Sequence, residues 1–163
     1  ARALRTQRQR PELLRPVLLL FALTSAQIAL GAYVVLAGRP EVLAAHLFGS
    51  AARGESVVND IDVLLLLAEG ADRGKVYLDV ASELSAALGV VTEKVDVVFF
   101  DLTETDPMLI CNALDEGVLL VNKDPSTLSD AIESTSRLLM EQEWIRGQAG
   151  RLRRELLEDW CAD

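Results

Sequence analysis

Three aspartates interrupt apolar segments of the chain, where a charged side chain is costly to bury. Asp60 and Asp62 flank Ile61 at the start of one apolar run, and Asp96 lies near the start of another. Side chains alternate along a strand, so Asp60 and Asp62 share a face, about 6–7 Å apart along the chain. If the strand of Asp96 lies beside theirs, all three carboxylates converge on one edge of a sheet. Carboxylates placed so closely need cations, and Mg²⁺ prefers carboxylate, phosphate and water oxygens.

A Gly-Ser turn follows the apolar run that precedes these acids. Gly49 lets the backbone approach a phosphate closely, and the hydroxyl of Ser50 adds a hydrogen-bond donor. If Ser50 also opens a short helix through Arg53, the free N–H groups at its start favour an anion. Transfer of a nucleotidyl group requires at least a phosphate-binding turn beside metal-binding acids.

Each of these residues also has a simpler structural interpretation. A lone Gly-Ser turn or D-x-D pair is usually a turn or a solvated cap, and Asp60 could cap a turn with Asn59. Asp96 could be a strand-end charge that faces water. The joint occurrence, with each acid interrupting an apolar strand, favours the functional interpretation. His46 precedes the Gly-Ser turn, but a single histidine on an apolar strand is more typical of the core than of a ligand.

Apolar runs and helical periodicity alternate along the chain. They predict strands at 42–48, 61–67, 94–101 and 118–121, and helices at 73–88, 106–117 and 127–160. Gly147 and Gly150 predict a kink or a break in the last helix. Trp144 and Trp160 in this helix either pack in the core, which we favour, or form a partner-binding patch. The fold class is α/β or α+β, with a small mixed β-sheet flanked by helices.

The segment Val17–Gly38 carries no charge, and five arginines precede it: Arg2, Arg5, Arg8, Arg10 and Arg15. Its length would suit a membrane span. However, it contains polar residues, and Thr24-Ser25 offers a helix N-cap. We therefore favour a short buried helix that starts there and ends at Gly38, preceded by a loose basic tail or marginal helix.

Composition narrows the class of protein. The chain has 163 residues, half of them hydrophobic and a quarter charged, which fits one globular domain. A net charge of −9 disfavours a nucleic-acid binder, although metal ions can neutralise carboxylates locally. Cys111 and Cys161 lack metal-ligand spacing, which indicates a reducing, cytoplasmic compartment. A single histidine disfavours a histidine-based zinc site.

The stretch at 47–55 (LFGSAARGE), followed by 59–63 (NDIDV), resembles the signature of minimal nucleotidyltransferases of the DNA polymerase β superfamily. The similarity continues more weakly and spans about residues 24–145. It implies a polymerase-β-type fold, with an N-terminal extension at 1–23, a nucleotidyltransferase domain at 24–125 and a packed C-terminal helical segment at 126–163. Asn59 stands where members of the family often carry Ser.

The resemblance also implies a role for each site residue. Gly49-Ser50 would hold the β- and γ-phosphates of ATP. Asp60 and Asp62 would bind two Mg²⁺ ions, and Asp96 would complete the metal site and help to deprotonate an attacking hydroxyl. Arg53 would touch a phosphate or form a structural ion pair with a neighbouring acid.

Stand-alone domains of this kind resemble the antitoxins of HEPN/MNT toxin–antitoxin pairs, which transfer AMP to a tyrosine of the HEPN toxin. The resemblance therefore implies a protein adenylyltransferase with a HEPN-type partner. Two alternatives stay open: nucleotidyl transfer to a small molecule such as an aminoglycoside, and a non-catalytic module that blocks a toxin by binding alone. No nucleic-acid partner is expected, and membrane attachment through residues 17–38 is the less favoured alternative.

Overall fold

The computed structural model describes residues 11–161 apart from 56, 57 and 59, with side chains described between 19 and 146 except for that of 21. The predicted basic tail covers about the first 15 residues, and its residues 1–10, like Asn59, lie outside the described residues. Within the described residues, five α-helices and four β-strands follow one another, with a 3₁₀ turn at Thr92–Lys94: α1 (Pro11–Ala37), β1 (Val42–Phe48), α2 (Gly49–Ala52), β2 (Ile61–Leu67), α3 (Arg73–Leu88), β3 (Val95–Phe99), α4 (Pro107–Glu116), β4 (Val118–Asn122) and α5 (Pro125–Cys161).

The four strands form one mixed sheet in the order β3-β2-β1-β4. β1 runs antiparallel to both β2 and β4, whereas β2 and β3 are parallel. The parallel pair is joined through α3, since parallel strands need a crossover connection. The predicted fold class, a small mixed sheet flanked by helices, is therefore confirmed.

Each face of the sheet is covered by a different pair of helices. The first face carries Val63, Leu65 and their neighbours and packs against buried side chains of α1 and α3. The second face carries Leu64 and Leu66, which pack against α4 and the start of α5. Burying each large side chain of this core contributes about 1.5–3 kcal/mol. The helices are thereby held in fixed places relative to the strand ends.

Helix α1 begins at Pro11, so the predicted start at Thr24-Ser25 is wrong. The hydroxyl of Thr24 donates to the carbonyl of Leu20 at 3.0 Å, the bond to the preceding turn that Thr makes inside a helix. The leucine-rich residues before Thr24 are good helix formers, which explains why the helix continues upstream. The predicted burial holds on one side only: Leu36 is fully buried, whereas Tyr33 and Val34 are 48% and 64% exposed. Within the described part of the chain, no helix is long and apolar enough to cross a membrane.

Helices α3 and α4 begin at acidic N-caps. Asp72 accepts a hydrogen bond from the N–H of Lys75 at 3.0 Å, and Asp106 accepts one from that of Met108 at 2.9 Å. Gly89 ends α3 in the left-handed conformation, with a φ of 68°. Caps that can be recognised in the sequence explain why the predicted bounds of both helices are confirmed.

Three expectations for the second half of the chain are corrected. β3 ends at Phe99 and excludes Lys94, which lies in the 3₁₀ turn. Helix α5 is one continuous helix despite Gly147 and Gly150, because a cost of about 1 kcal/mol for each glycine does not break a long helix of strong formers. Trp144 is 65% exposed, so the expectation that it packs in the core is wrong.

The carboxylate of Asp124 precedes α5 and is held ionised by hydrogen bonds. The hydroxyl of Ser126 donates to it at 2.6 Å, and Thr127 donates its N–H at 3.1 Å and its hydroxyl at 2.7 Å. These bonds lower the pKa of Asp124 to about 2. We expect Asp124→Ala to lower the free energy of unfolding at neutral pH, because the helix loses its cap. The difference from wild type should shrink as the pH falls from about 4, the ordinary pKa, to about 2.

Urea unfolding of both proteins between pH 7 and pH 2 measures this difference. Asp130→Ala is the matched control, since it removes an exposed carboxylate from the same helix without removing a cap. A difference between wild type and Asp124→Ala that stays constant down to pH 2 would show that the charge of Asp124 does not stabilise α5.

Candidate active site

Asp62 and Asp96 are direct neighbours on adjacent parallel strands. The register of β2 and β3 pairs Asp62 with Asp96, so both side chains leave the second face of the sheet. Along β2 this face continues into Leu64, which lies under α4, whereas Asp62 is only half-buried and Asp96 is exposed. The acidic pair thus lies at the end of the strands that the helices leave uncovered.

Asp60 lies immediately before β2 and is exposed. Its influence is seen at Asp62, whose pKa is raised first by burial and then by the charges of Asp96 and Asp60. Arg53 partly offsets this increase. The register places Asp62 beside Asp96, and Asp60 lies two residues before Asp62 at the same end of β2. The convergence of all three acids at this edge stays a prediction.

The Gly-Ser turn contacts this acidic cluster. Phe48, the last residue of β1, pairs with Asp62 on β2, so the chain turns into α2 directly beside it. Gly49 has a φ of +68°, in the left-handed region that favours glycine. A Cβ placed on Gly49 would overlap with Oδ2 of Asp62 and lie 3.0 Å from its Cγ. Only glycine at this position leaves room for the carboxylate.

Helix α2 is one short turn that begins without a side-chain cap. Phe48 occupies the N-cap position in an extended conformation and makes no capping hydrogen bond. The turn closes through bonds from the N–H of Arg53 to the carbonyl of Gly49 and from that of Glu55 to the carbonyl of Ser50, each 3.2 Å long. The first N–H groups of a helix have no partner within it, so they are available to an anion beside the acids.

Arg53 follows α2 and is held by two carboxylates. Its Nε lies 2.7 Å from Glu55, and its Nη1 lies 2.9 Å from Glu116 at the end of α4. These partners raise the pKa of Arg53 further above its ordinary value. The structural ion pair predicted as one alternative for Arg53 is present. The sequence analysis missed Glu116, because a contact between residues 63 positions apart leaves no periodic signal in the sequence.

The corner between α4 and β4 fixes the position of Glu116. Leu47 on β1 pairs with Val118, the first residue of β4. Gly117 connects the end of α4 to the start of β4. A Cβ on Gly117 would overlap with the carbonyl of Ala113 and lie 3.0 Å from the carbonyl of Leu47. The end of α4 is therefore packed directly on the strand that leads into the Gly-Ser turn.

His46 lies inside the second face of the sheet and not at its open edge. It pairs with Leu64 on β2 and with Leu119 on β4, and it is 7% exposed. Burial lowers the pKa of His46, which keeps the imidazole neutral. Its position agrees with the prediction of a core residue.

The chemistry of the donor set fits Mg²⁺. Asp60, Asp62 and Asp96 offer only carboxylate oxygens, the ligands that this hard cation prefers. Burial, and after it the charges of Asp96 and Asp60, raises the pKa of Asp62, and a bound cation would relieve the repulsion among the acids. Among the described residues, no group of three His, Cys, Asp or Glu side chains is close enough together to hold a metal ion.

Crystal structures of toxin–antitoxin proteins share this fold. One with AMP-PNP has a TM-score of 0.55 and 21% identity, and the likeness covers 74% of this chain and 97% of that one. The toxin–antitoxin MntA-HepT has a TM-score of 0.50 and 21% identity, with 78% and 97% covered. A structure from Shewanella oneidensis has a TM-score of 0.51 and 20% identity, with 75% and 95% covered. No curated protein sequence matches the chain.

The sequence profile of the family described as "Polymerase beta, Nucleotidyltransferase" matches residues 34–126, more than half of the chain. This range contains the Gly-Ser turn, both strands with the paired aspartates, and the α4–β4 corner. The chain belongs to the polymerase β nucleotidyltransferase family.

Proposed function

We propose that this chain transfers AMP from ATP to a hydroxyl group of a partner protein. The observation that carries the proposal is the close approach of Gly49 to Asp62, the neighbour of Asp96 in the sheet. The turn that would hold the triphosphate and the carboxylates that would activate it lie side by side at one open edge. Family membership supports nucleotidyl transfer as the reaction type, since the family profile matches all the residues of this edge.

In this proposal Gly49-Ser50 binds the β- and γ-phosphates. The short turn of α2 offers backbone N–H groups, and the hydroxyl of Ser50 adds one more donor. Binding of these two phosphates orients the α-phosphorus toward Asp62, whose carboxylate lies against Gly49. Arg53 contributes positive charge to the same phosphates, although its two carboxylate partners compete for it.

Asp60, Asp62 and Asp96 would hold two Mg²⁺ ions. Mg²⁺ supplies charge neutralisation at the α-phosphate and at the leaving pyrophosphate. Asp62 is suited to a central position, because it pairs with Asp96 across the strands, lies two residues after Asp60 and is the most buried of the three. Asp96 is exposed, so an acceptor hydroxyl can reach it from solvent.

The proposed reaction is an in-line displacement at the α-phosphorus. The acceptor oxygen forms a bond to phosphorus, the bond to the β-phosphate oxygen breaks, and pyrophosphate leaves. Asp96 receives the proton of the attacking hydroxyl, which makes it the general base. The backbone N–H groups of the turn stabilise charge on the departing pyrophosphate.

We propose a tyrosine of a HEPN-type toxin as the acceptor, so that the chain acts as its antitoxin. The solved structures with this fold come from toxin–antitoxin proteins, one of them with AMP-PNP. A net charge of −9 disfavours a polynucleotide acceptor. The nucleotidyltransferase domain would span 24–125, with 126–163 as a helical segment packed on it and 1–23 as an extension.

Incubation with ATP, Mg²⁺ and the protein encoded by the adjacent gene is expected to raise the mass of that protein by one or more AMP units. Intact-mass spectrometry measures the gain, and fragmentation locates the modified residue. A gain on a tyrosine supports the proposed acceptor. No gain with a HEPN-type partner at hand would refute protein AMP transfer.

The variant Asp60→Asn with Asp62→Asn separates catalysis from simple binding. If modification causes neutralisation, the variant should bind the partner yet fail to protect cells from it. Full protection by the variant would indicate that the chain blocks the toxin by occlusion alone.

A further inference from the structure

Arg53 and its two carboxylate partners form a second charged group beside the Gly-Ser turn. The side chains of Arg53, Glu55 and Glu116 are each about half exposed, and one guanidinium with two carboxylates carries a net charge of −1. Arg53 lies close enough to Asp62 for its positive charge to oppose the increase in the pKa of that acid. A triphosphate that arrives at the turn therefore meets an arginine whose charge is already neutralised.

The two carboxylates are attached to the fold in different ways. Glu55 lies two residues after Arg53 in the same loop, so it can follow a movement of the arginine. Glu116 is 63 positions away along the chain and is the last residue of α4. The corner at Gly117 packs this end of α4 against the carbonyl of Leu47. Glu116 therefore keeps a fixed place, and a displacement of Arg53 changes its distance to Glu116 first.

Glu116 is placed unfavourably for the stability of its own helix. Helix α4 ends with Asp115 and Glu116 and has no basic residue in its last turn, where the helix macrodipole is negative. An ion pair between exposed side chains adds little to the stability of a fold. Stability thus gives little reason for this carboxylate, whereas its pairing with Arg53 directly affects an anion bound at the turn.

We propose that Glu116 limits the affinity of the Gly-Ser turn for a triphosphate by pairing with Arg53. The inference rests on the proposed function, in which Gly49-Ser50 binds the β- and γ-phosphates and Arg53 contributes charge to them. When these phosphates bind, Arg53 exchanges its contact with Glu116 for a contact with a phosphate oxygen. The reverse exchange helps pyrophosphate to leave after the transfer. Glu116 acts through Arg53, as a positioning residue.

Binding of α,β-methylene ATP with Mg²⁺ measures this effect without transfer, because the analogue cannot release pyrophosphate. Isothermal titration calorimetry of the full chain gives the dissociation constant. Glu116→Gln keeps the shape of the side chain but loses its charge, and it is expected to lower the constant about two- to fivefold, the range of an exposed ion pair. Asp115→Asn is the matched control, since it removes the same charge from the same turn but lies outside the ion pairs of Arg53. It should leave the constant unchanged.

Pyrophosphate and AMP show which phosphates are affected. Glu116→Gln should bind pyrophosphate with Mg²⁺ more tightly by the same factor and bind AMP as wild type does, because AMP lacks the β- and γ-phosphates. A purely structural ion pair would behave differently, since its loss would weaken the binding of all these ligands and lower the midpoint of urea unfolding. Weaker binding of the analogue to Glu116→Gln would overturn the proposal.

A double-mutant cycle tests whether Glu116 acts through Arg53. Arg53→Gln should raise the dissociation constant of the analogue roughly tenfold, the effect of one hydrogen bond to a charged group. Adding Glu116→Gln to Arg53→Gln should then cause no further change. An equal effect of Glu116→Gln with and without Arg53 would overturn the proposal, because the carboxylate would then repel the phosphates directly.

Failure of this inference can be told apart from failure of the proposed function. If wild type binds the analogue and Glu116→Gln binds it equally well, only the role of Glu116 is refuted. If wild type does not bind the analogue with Mg²⁺ at all, the nucleotide site at Gly49-Ser50 is refuted, and the role of Glu116 with it.

Discussion

Replacing Asp62 with Asn is expected to lower the rate of AMP transfer on the order of 10³-fold or more. Asp62 approaches Gly49 closely, pairs with Asp96 across the strands and lies two residues after Asp60. Asn has almost the same shape but lacks the charge that would bind Mg²⁺ and offset the developing charge of the reaction. Single-turnover transfer of AMP from radiolabelled ATP measures the rate without a contribution from product release.

The stability of Asp62→Asn should equal or exceed that of wild type. The pKa of Asp62 is raised by burial and by neighbouring acids, so its ionised form costs stability at neutral pH, and that cost disappears only as the pH falls through its pKa. Urea unfolding in the absence of divalent cations measures this effect. Asp115→Asn, at an exposed position on α4, is the control for both assays. Activity within tenfold of wild type would remove Asp62 from the proposed site.

Replacing Gly49 with Ala is expected to lower activity about 10²–10³-fold and also to destabilise the fold. Two effects combine at this position. The φ of +68° costs an L-residue roughly 1–2 kcal/mol, and the new methyl group would overlap with Oδ2 of Asp62. The carboxylate must then move away from the place where it would meet the α-phosphate.

Gly70→Ala separates these two effects. Gly70 has a φ of +78°, but a Cβ there would meet nothing within 4 Å. The variant Gly70→Ala should therefore show only the conformational cost of the positive φ and keep full activity. Combining Gly49→Ala with Asp62→Ala should remove the extra destabilisation of Gly49→Ala relative to Gly70→Ala. If Gly49→Ala keeps wild-type activity, the close approach of Gly49 to Asp62 plays no part in the reaction.

Those elements that carry their own boundary signals could be predicted from the sequence. The strand at 61–67 is a continuous apolar run apart from Asp62, and α3 lies between an Asp cap and a left-handed Gly. Helix α1 has no such signal at its start, since its leucine-rich residues continue upstream of Thr24 without a break. β3 is shorter than its apolar run because its register with β2 ends where Leu65 pairs with Phe99.

The site could be predicted only in part for a similar reason. The spacing of Asp60 and Asp62 is a local property, so a shared face follows from strand geometry alone. The position of Asp96 depends on which strand lies next to β2 and in which register. The periodicity of the sequence indicates neither the neighbouring strand nor the register. The ion pair of Arg53 with Glu116 joins distant segments, so only the folded chain reveals it.

The packing of Gly117 against two backbone carbonyls has a consequence for how this enzyme can change its specificity. A larger residue there would push α4 off the strand that feeds the Gly-Ser turn, so the corner can hardly vary without disturbing catalysis. In the connection between β3 and α4, Thr103 and Glu104 are exposed beyond the strand that carries Asp96, and a larger side chain there would not displace a helix. Libraries that aim at new acceptors should therefore randomise these exposed positions and leave residue 117 and the α4 cap, Asp106, unchanged.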